Sequence, residues 1–178
     1  MKSRKFGSPA CEIILVAHNI RSIQNVGSIL RTAEGFGVTK VFASGYTPNL
    51  DSGLPHVRAK MAKELHKTAL GAEEIVDFRF ALDVMELIKK LRADGYRVVG
   101  LEQDECAISL PDFDFCKERP CKKIALLLGE EVHGLTVELR DACDDLVEIP
   151  MFGQKESFNV SVATGIALYH FTATCSSP

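Results

Sequence analysis

The sequence predicts an α/β fold, a parallel sheet flanked by helices. Three observations carry that expectation: apolar runs with β-branched residues recur along the chain, they are continuous rather than alternating, and segments of helical periodicity separate them. A strand that is apolar at consecutive positions has both faces covered, and helices between such strands supply the cover.

EIILVA (12–17) is the first such run, and QNVGSILRT (24–32) follows HNIRSI where a helix is due. KVFAS (40–44) reads as a second strand, followed by GYTPNLDSGLPH (45–56), whose Gly, Pro, Asn and Asp predict a long surface loop of the kind that carries function. RAKMAKELHKTAL (58–70) is helical in pattern and EEIVDF (73–78) reads as a strand. In DVMELIKKLRADG, Val84, Leu87, Ile88 and Leu91 hold one helical face, and Gly95 stands where a C-cap belongs. YRVVGLE (96–102), KIALLLG (123–129) and DLVEIPM (145–151) complete the strands, with helices expected in LTVELRDAC and in the C-terminal run SFNVSVATGIALYHF. No repeat, low-complexity tract or change of composition divides the 178 residues, so one domain is expected over 1–178, its core about 11–175, with no separate RNA-binding domain.

Composition narrows the function classes. No apolar run approaches the ~18 residues that span a bilayer, and MKSRKFGSPACE lacks the apolar stretch of a signal peptide. A cytoplasmic protein with no membrane partner is the expectation. The six cysteines form no C-x-x-C pair and no histidine stands at ligand spacing, so reduced thiols are expected and no metal site. A net charge of −3 disfavours a broadly basic nucleic-acid binder, yet MKSRK and VRAKMAKELHK are locally basic. These clusters suit either solvated faces or one face that meets RNA.

Two segments carry unusual chemistry. In LGEEVHGLT (128–136), Gly129, Gly134 and Thr136 have the spacing of a phosphate loop, but Leu135 takes the lysine position and Glu130 and Glu131 lie inside. Such a loop repels a polyphosphate and suits an uncharged or cationic ligand, or is a tight strand-to-helix turn with solvated acids. No G-x-G-x-x-G or G-x-S-x-G motif is present. In the C-terminal run, Ser157 suits an N-cap, whereas Asn159 two residues later lies in an apolar helix pattern and needs partners of its own.

Three segments in order, NVGSILRTAEGFGV, LLLGEEVHGL and IPMFGQKESFNVSVATGIALYHF, make the sequence resemble the SpoU (TrmH-type) branch of the SPOUT class, RNA ribose 2′-O-methyltransferases that use S-adenosylmethionine. The resemblance implies a parallel α/β sheet with a deep C-terminal trefoil knot, a homodimer, a cofactor pocket in the knot and an active site shared across the interface. By position, Arg31 matches the family's catalytic arginine, Asn25 its motif-one asparagine, Glu131 the motif-two acid, and Ser157 and Asn159 the polar pair of motif three. Leu128, Gly129, Ile149, Met151, Phe158 and Asn159 would hold the cofactor; Phe158 stands where the family usually has leucine. Gly27 would let chains pack closely. Arg31 suits a phosphate through its planar fork, and a guanidinium, which keeps its proton, is a poor general base. The rival for Arg31 is a surface ion pair with Glu34 or another acid. The expected substrate is structured RNA, tRNA ranked ahead of rRNA. The alternatives are a non-catalytic RNA-binding module of the same fold and a Rossmann-type or receiver-like protein; the latter lacks its phosphate fingerprints here.

Overall fold

The computed structural model describes residues 11–50, 53–114 and 122–175. A seven-stranded sheet runs through it: β1 (Glu12–His18), β2 (Lys40–Ser44), β3 (Asp77–Ala81), β4 (Arg97–Leu101), β5 (Ile108–Ser109), β6 (Lys123–Leu128) and β7 (Asp145–Glu148). The order is β3-β2-β1-β6-β4-β7-β5, and every pairing is parallel. Its helices are α1 (Ile23–Gly35), α2 (Pro55–Ala69), α3 (Ala72–Ile75), α4 (Val84–Ala93), α5 (Val137–Asp141) and α6 (Val160–Cys175), with a 3-10 turn at Leu110–Asp112.

The continuous apolar runs are explained by two cores. Ile13, Leu15 and Ala17 of β1 and Ile124, Leu126 and Leu128 of β6 pack with Ile29, Leu30, Leu65, Leu168 and Phe171. The alternate residues Ile14, Val16, Ala125 and Leu127 pack with Leu87, Ile88, Leu91, Leu135 and Leu139 on the other face. Side chains of a strand alternate between faces, so a central strand between two helical layers is apolar at every position.

Several expectations shift. Residues 72–75 are helical, and the strand starts only at Asp77. Gly71 takes a positive φ of 94° and its N–H is bound by the Glu73 carboxylate, which also meets His66. That local capping overrides the apolar look of EEIVDF. The 45–56 connection is not wholly a surface loop, because Thr47 is buried, donating to Ala17 O and accepting from Ile20 N. The first strap after β1 is thereby tied to the loop after β2. The last helix begins at Val160, three residues after Ser157. Gly27 allows close packing within the chain: a Cβ there would lie 2.1 Å from Thr68 Oγ1 and 2.8 Å from Leu65 O, so α1 and α2 touch backbone to backbone. Gly95 follows α4 with φ 85°, as expected.

Candidate functional site

Parallel neighbours place their carboxyl ends side by side. β1 and β6 are such a pair, so the strap Asn19–Ser22 and the loop after Leu128 leave the sheet together, where ligands of open α/β sheets bind. The Glu131 carboxylate crosses the gap. It accepts from Arg21 N (3.0 Å), Ser22 N (3.2 Å) and Asn25 Nδ2 (3.1 Å). Burial pushes the Glu131 carboxyl upward, but these donors outweigh it and hold the group below its usual 4.5. An anion thus sits at the start of α1, where unpaired N–H groups favour it.

The network continues in one direction only. An ionised carboxylate can only accept, so Asn25 turns its NH₂ to Glu131 and its oxygen outward. Asn159 Nδ2 donates to that oxygen at 3.1 Å. Asn159 Oδ1 then accepts from Ser161 N at 2.9 Å and Ser161 Oγ at 2.7 Å, so Asn159, and not Ser157, caps α6. This answers what the amide needed: it stands before the helix and ties α6 to α1. Sites 106 and 134 residues apart in sequence, Asn25–Glu131 and Asn25–Asn159, become one cluster.

Beside the cluster is a cavity of about 300 Å³. Leu101, Leu128, Ile149 and Phe158 give it apolar walls, and Glu102, Glu130, Glu131, Glu148 and Glu156 give it carboxylates; Gly129 and Ser157 line it too. Apolar walls with several acids suit a flat apolar ring on a cationic tail, and reject a polyphosphate. The loop over it is stiff. A Cβ on Gly129 would lie 2.5 Å from the Gly134 carbonyl carbon, so this glycine admits the loop's own backbone rather than a ligand's. Gly134 has φ 64°, Glu130 and Gly134 exchange backbone hydrogen bonds, and Thr136 caps α5. The tight turn is real, and its acids are engaged rather than solvated: Glu130 pairs with Arg21 and Glu131 joins the cluster.

Sequence reading overlooked Glu102. Its Oε2 accepts from Leu135 N at 2.5 Å and its Oε1 from Gln103 N at 3.0 Å, latching the loop to the end of β4. Gln103 Nε2 donates to Glu156 O at 2.7 Å, holding the last loop over the cavity. A polar pair directly after an apolar strand in a parallel sheet was the available signal.

Of the expected site residues, Asn25, Glu131 and Asn159 are bonded together, and Leu128, Gly129, Ile149, Ser157 and Phe158 line the cavity. Met151 is half-buried but is not among the lining residues. Arg31 is not brought to this cavity: it is exposed, and among the described residues it forms no ion pair or hydrogen bond, with Glu34 or any other group. The reason is helical phase, since Arg31 is six residues from Asn25 and points some 120° away from it.

The profile of the SpoU rRNA Methylase family matches residues 12–169, and the chain belongs to that family. Among curated relatives, the 23S rRNA (guanosine-2′-O-)-methyltransferase RlmB of Nitrosomonas europaea is 34% identical over 160 residues, covering 88% of this chain and 54% of the relative. The protein of that name from Coxiella burnetii is 32% identical, with 93% and 59% covered. The chain therefore spans little more than half the length of these relatives. Among solved structures, an AdoMet-bound rRNA methyltransferase from Sinorhizobium meliloti superposes with TM-score 0.79 at 25% identity, covering 97% of this chain and 60% of that one. A protein studied for 2-OH methylation of C/U34 on tRNA gives TM-score 0.74 at 25% identity and covers 93% and 97%.

Proposed function

We propose that the protein methylates a ribose 2′-hydroxyl in structured RNA, using S-adenosylmethionine. One observation carries this reading: the Glu131–Asn25–Asn159 cluster borders an acid-rich, apolar-walled cavity in a chain of SpoU type. The relatives' names reverse the order in which substrates were expected, placing rRNA ahead of tRNA. The tRNA reading is kept as the second, because the relative whose study concerns tRNA has nearly the same span as this chain. The non-catalytic module is disfavoured, since every polar site residue is present.

The cavity fits the cofactor. Leu101, Ile149 and Phe158 would hold its adenine, and the surrounding carboxylates would balance its positive charges. When bound, it supplies an electrophilic methyl group. The chain's own task is positioning: Asn25 and Asn159, locked by Glu131 and the α6 cap, would orient the ribose beside the cavity, and Ser157, which lines it, is a further donor and acceptor. Arg31 binds the phosphate next to the target ribose through its fork. It lies outside the cavity of its own chain, and the active site shared between copies that the resemblance implies would take it from a second copy. A homodimer is supported by α6, a mainly apolar helix that leaves Val162 and Tyr169 half or more exposed, seven residues apart on one face. The C-terminal trefoil knot belongs to the same reading, with β7 inserted between β4 and β5, and α6 returning to α1.

Thermal unfolding with and without S-adenosylmethionine tests the pocket. A ligand that binds only the folded state raises Tm by mass action. The reading predicts a rise that Gly129→Val abolishes; no rise in the native protein at saturating cofactor contradicts it.

A further inference from the structure

α2 differs from the other helices in what it leaves in solvent. Leu65 and Ala69 in its last turns are its only fully buried residues, and residues 53–60 are all exposed. Four cations, Arg58, Lys60, Lys63 and Lys67, face one carboxylate, Glu64, so this helix carries +3 in a chain whose net charge is −3. The remainder of the protein is at −6. The helix is therefore a local excess of positive charge on an otherwise acidic chain.

Helical spacing orders it further. His56, Lys60, Lys63 and Lys67 recur at intervals of four, three and four, which puts them on one stripe about 16 Å long, on the side away from Leu65 and Ala69. The lone acid is already spent: Lys67 Nζ lies 2.7 Å from Glu64 Oε1, and this hydrogen bond, with the added fields of Lys60 and Lys63, holds the Glu64 carboxyl below its usual range.

The fold fixes where the stripe points. β1, β2 and β3 are parallel, so α1 and α2 both run back from the carboxyl end of the sheet to its amino end. Gly27, in the second turn of α1, meets Leu65, Thr68 and Ala69 at the end of α2. In that register the early turns of α2 overshoot the start of α1 and project past the carboxyl end of the sheet. This is the end that carries Glu131, Asn25 and the cavity.

We infer that the His56–Lys67 stripe of α2 is the backbone-binding rail for RNA, gripping phosphates beside the site without reading bases. The inference rests on the RNA-methylation reading and adds the surface by which a largely acidic chain holds a polyanion. Phosphate contacts of this type position a nucleic acid and release counterions, so each leaves its mark in salt dependence. α4 offers less: two of its three cations are paired, Lys89 with Glu86 and Arg92 with Asp144, whereas on α2 the single acid takes only Lys67.

The test compares the native protein with Lys60→Gln/Lys63→Gln/Lys67→Gln, using unmodified 23S rRNA transcript and total tRNA as probes across a salt series. Losing three contacts lowers the slope of log K against log salt by about 2–3 and weakens binding roughly 100- to 500-fold at 0.1 M salt, on either RNA. The loss falls on KM for RNA, while the cofactor-induced rise in Tm stays as in the native protein. Lys60→Arg/Lys63→Arg/Lys67→Arg keeps charge and restores affinity, and Lys89→Gln/Lys90→Gln on α4 leaves the slope unchanged. Native affinity and slope in the glutamine variant would overturn the rail and leave the enzyme reading standing. Failure of the native protein to bind either RNA would overturn both. Binding to phosphatidylserine vesicles that the glutamine variant loses, with RNA affinity intact, would assign the stripe to a membrane surface instead.

Discussion

Removing the Glu131 carboxylate tests whether the candidate site is a fixed structure or a chance meeting of loops. Glu131→Ala leaves Arg21 N, Ser22 N and Asn25 Nδ2 without their acceptor. A hydrogen bond to a charged group contributes roughly 1.5–3 kcal/mol in a buried setting, and here the freed donors can turn to water, so the three together come to about 2–4 kcal/mol. In a chain of this size 1 kcal/mol moves Tm by about 2–4 °C, so the variant melts roughly 4–16 °C lower at pH 7. Glu131→Gln keeps one acceptor and loses about half as much. The pH dependence has a definite sign. The folded pKa of Glu131 lies below its usual 4.5, so the stabilisation is complete above the unfolded value and is lost as pH falls through the folded one. The gap between native and variant is therefore full at pH 7 and closes in acid, once the pH has fallen through the lowered folded value and the native carboxyl is protonated as well. Calorimetry at both pH values reads it. Equal Tm at pH 7, or a gap that persists unchanged in acid, would refute the reasoning.

Arg31→Ala touches no ion pair or hydrogen bond among the described residues, so stability changes by no more than a surface substitution, about 0.5 kcal/mol, while methyl transfer is lost; transfer at the native rate would remove Arg31 from the chemistry. Asn159→Ala cuts both the bond to Asn25 and the cap of α6, costing about 1–2 kcal/mol and weakening cofactor binding as well as transfer, as titration calorimetry with S-adenosylmethionine would measure. Gly27→Ala forces a Cβ against Leu65 O and Ala69 N, which are backbone and cannot move aside alone; the variant loses about 1–3 kcal/mol by denaturant unfolding, and a neutral result would mean that α1 and α2 are less tightly joined.

The sheet was legible because burial on both faces imposes a pattern that sequence displays directly. β2, β4, β6 and β7 fall within the apolar runs that announce them, and β1 outruns its own by one residue, His18. β5 has only two residues, too few for any period, and β3 was displaced because the Gly71–Glu73 cap acts through a hydrogen bond that hydropathy does not record. The site residues were legible only as family positions. Asn25, Glu131 and Asn159 are polar residues in apolar surroundings, which marks them as needing partners, yet the partners lie more than a hundred residues away and are set by strand order. The reading of Asn159 failed on a boundary: α6 starts at Val160, so the amide that looked internal is the cap. Glu102 was missed because a carboxylate after a strand is unremarkable until the loop it latches is seen above it.

The central claim is methyl transfer to a ribose hydroxyl. Its most direct test is incubation with methyl-labelled S-adenosylmethionine and unmodified 23S rRNA or tRNA, followed by digestion to nucleosides and mass analysis. The account predicts label in a 2′-O-methylnucleoside from one RNA pool, dependent on Arg31. Label on a base, or none in either pool with cofactor bound and RNA held, would contradict it.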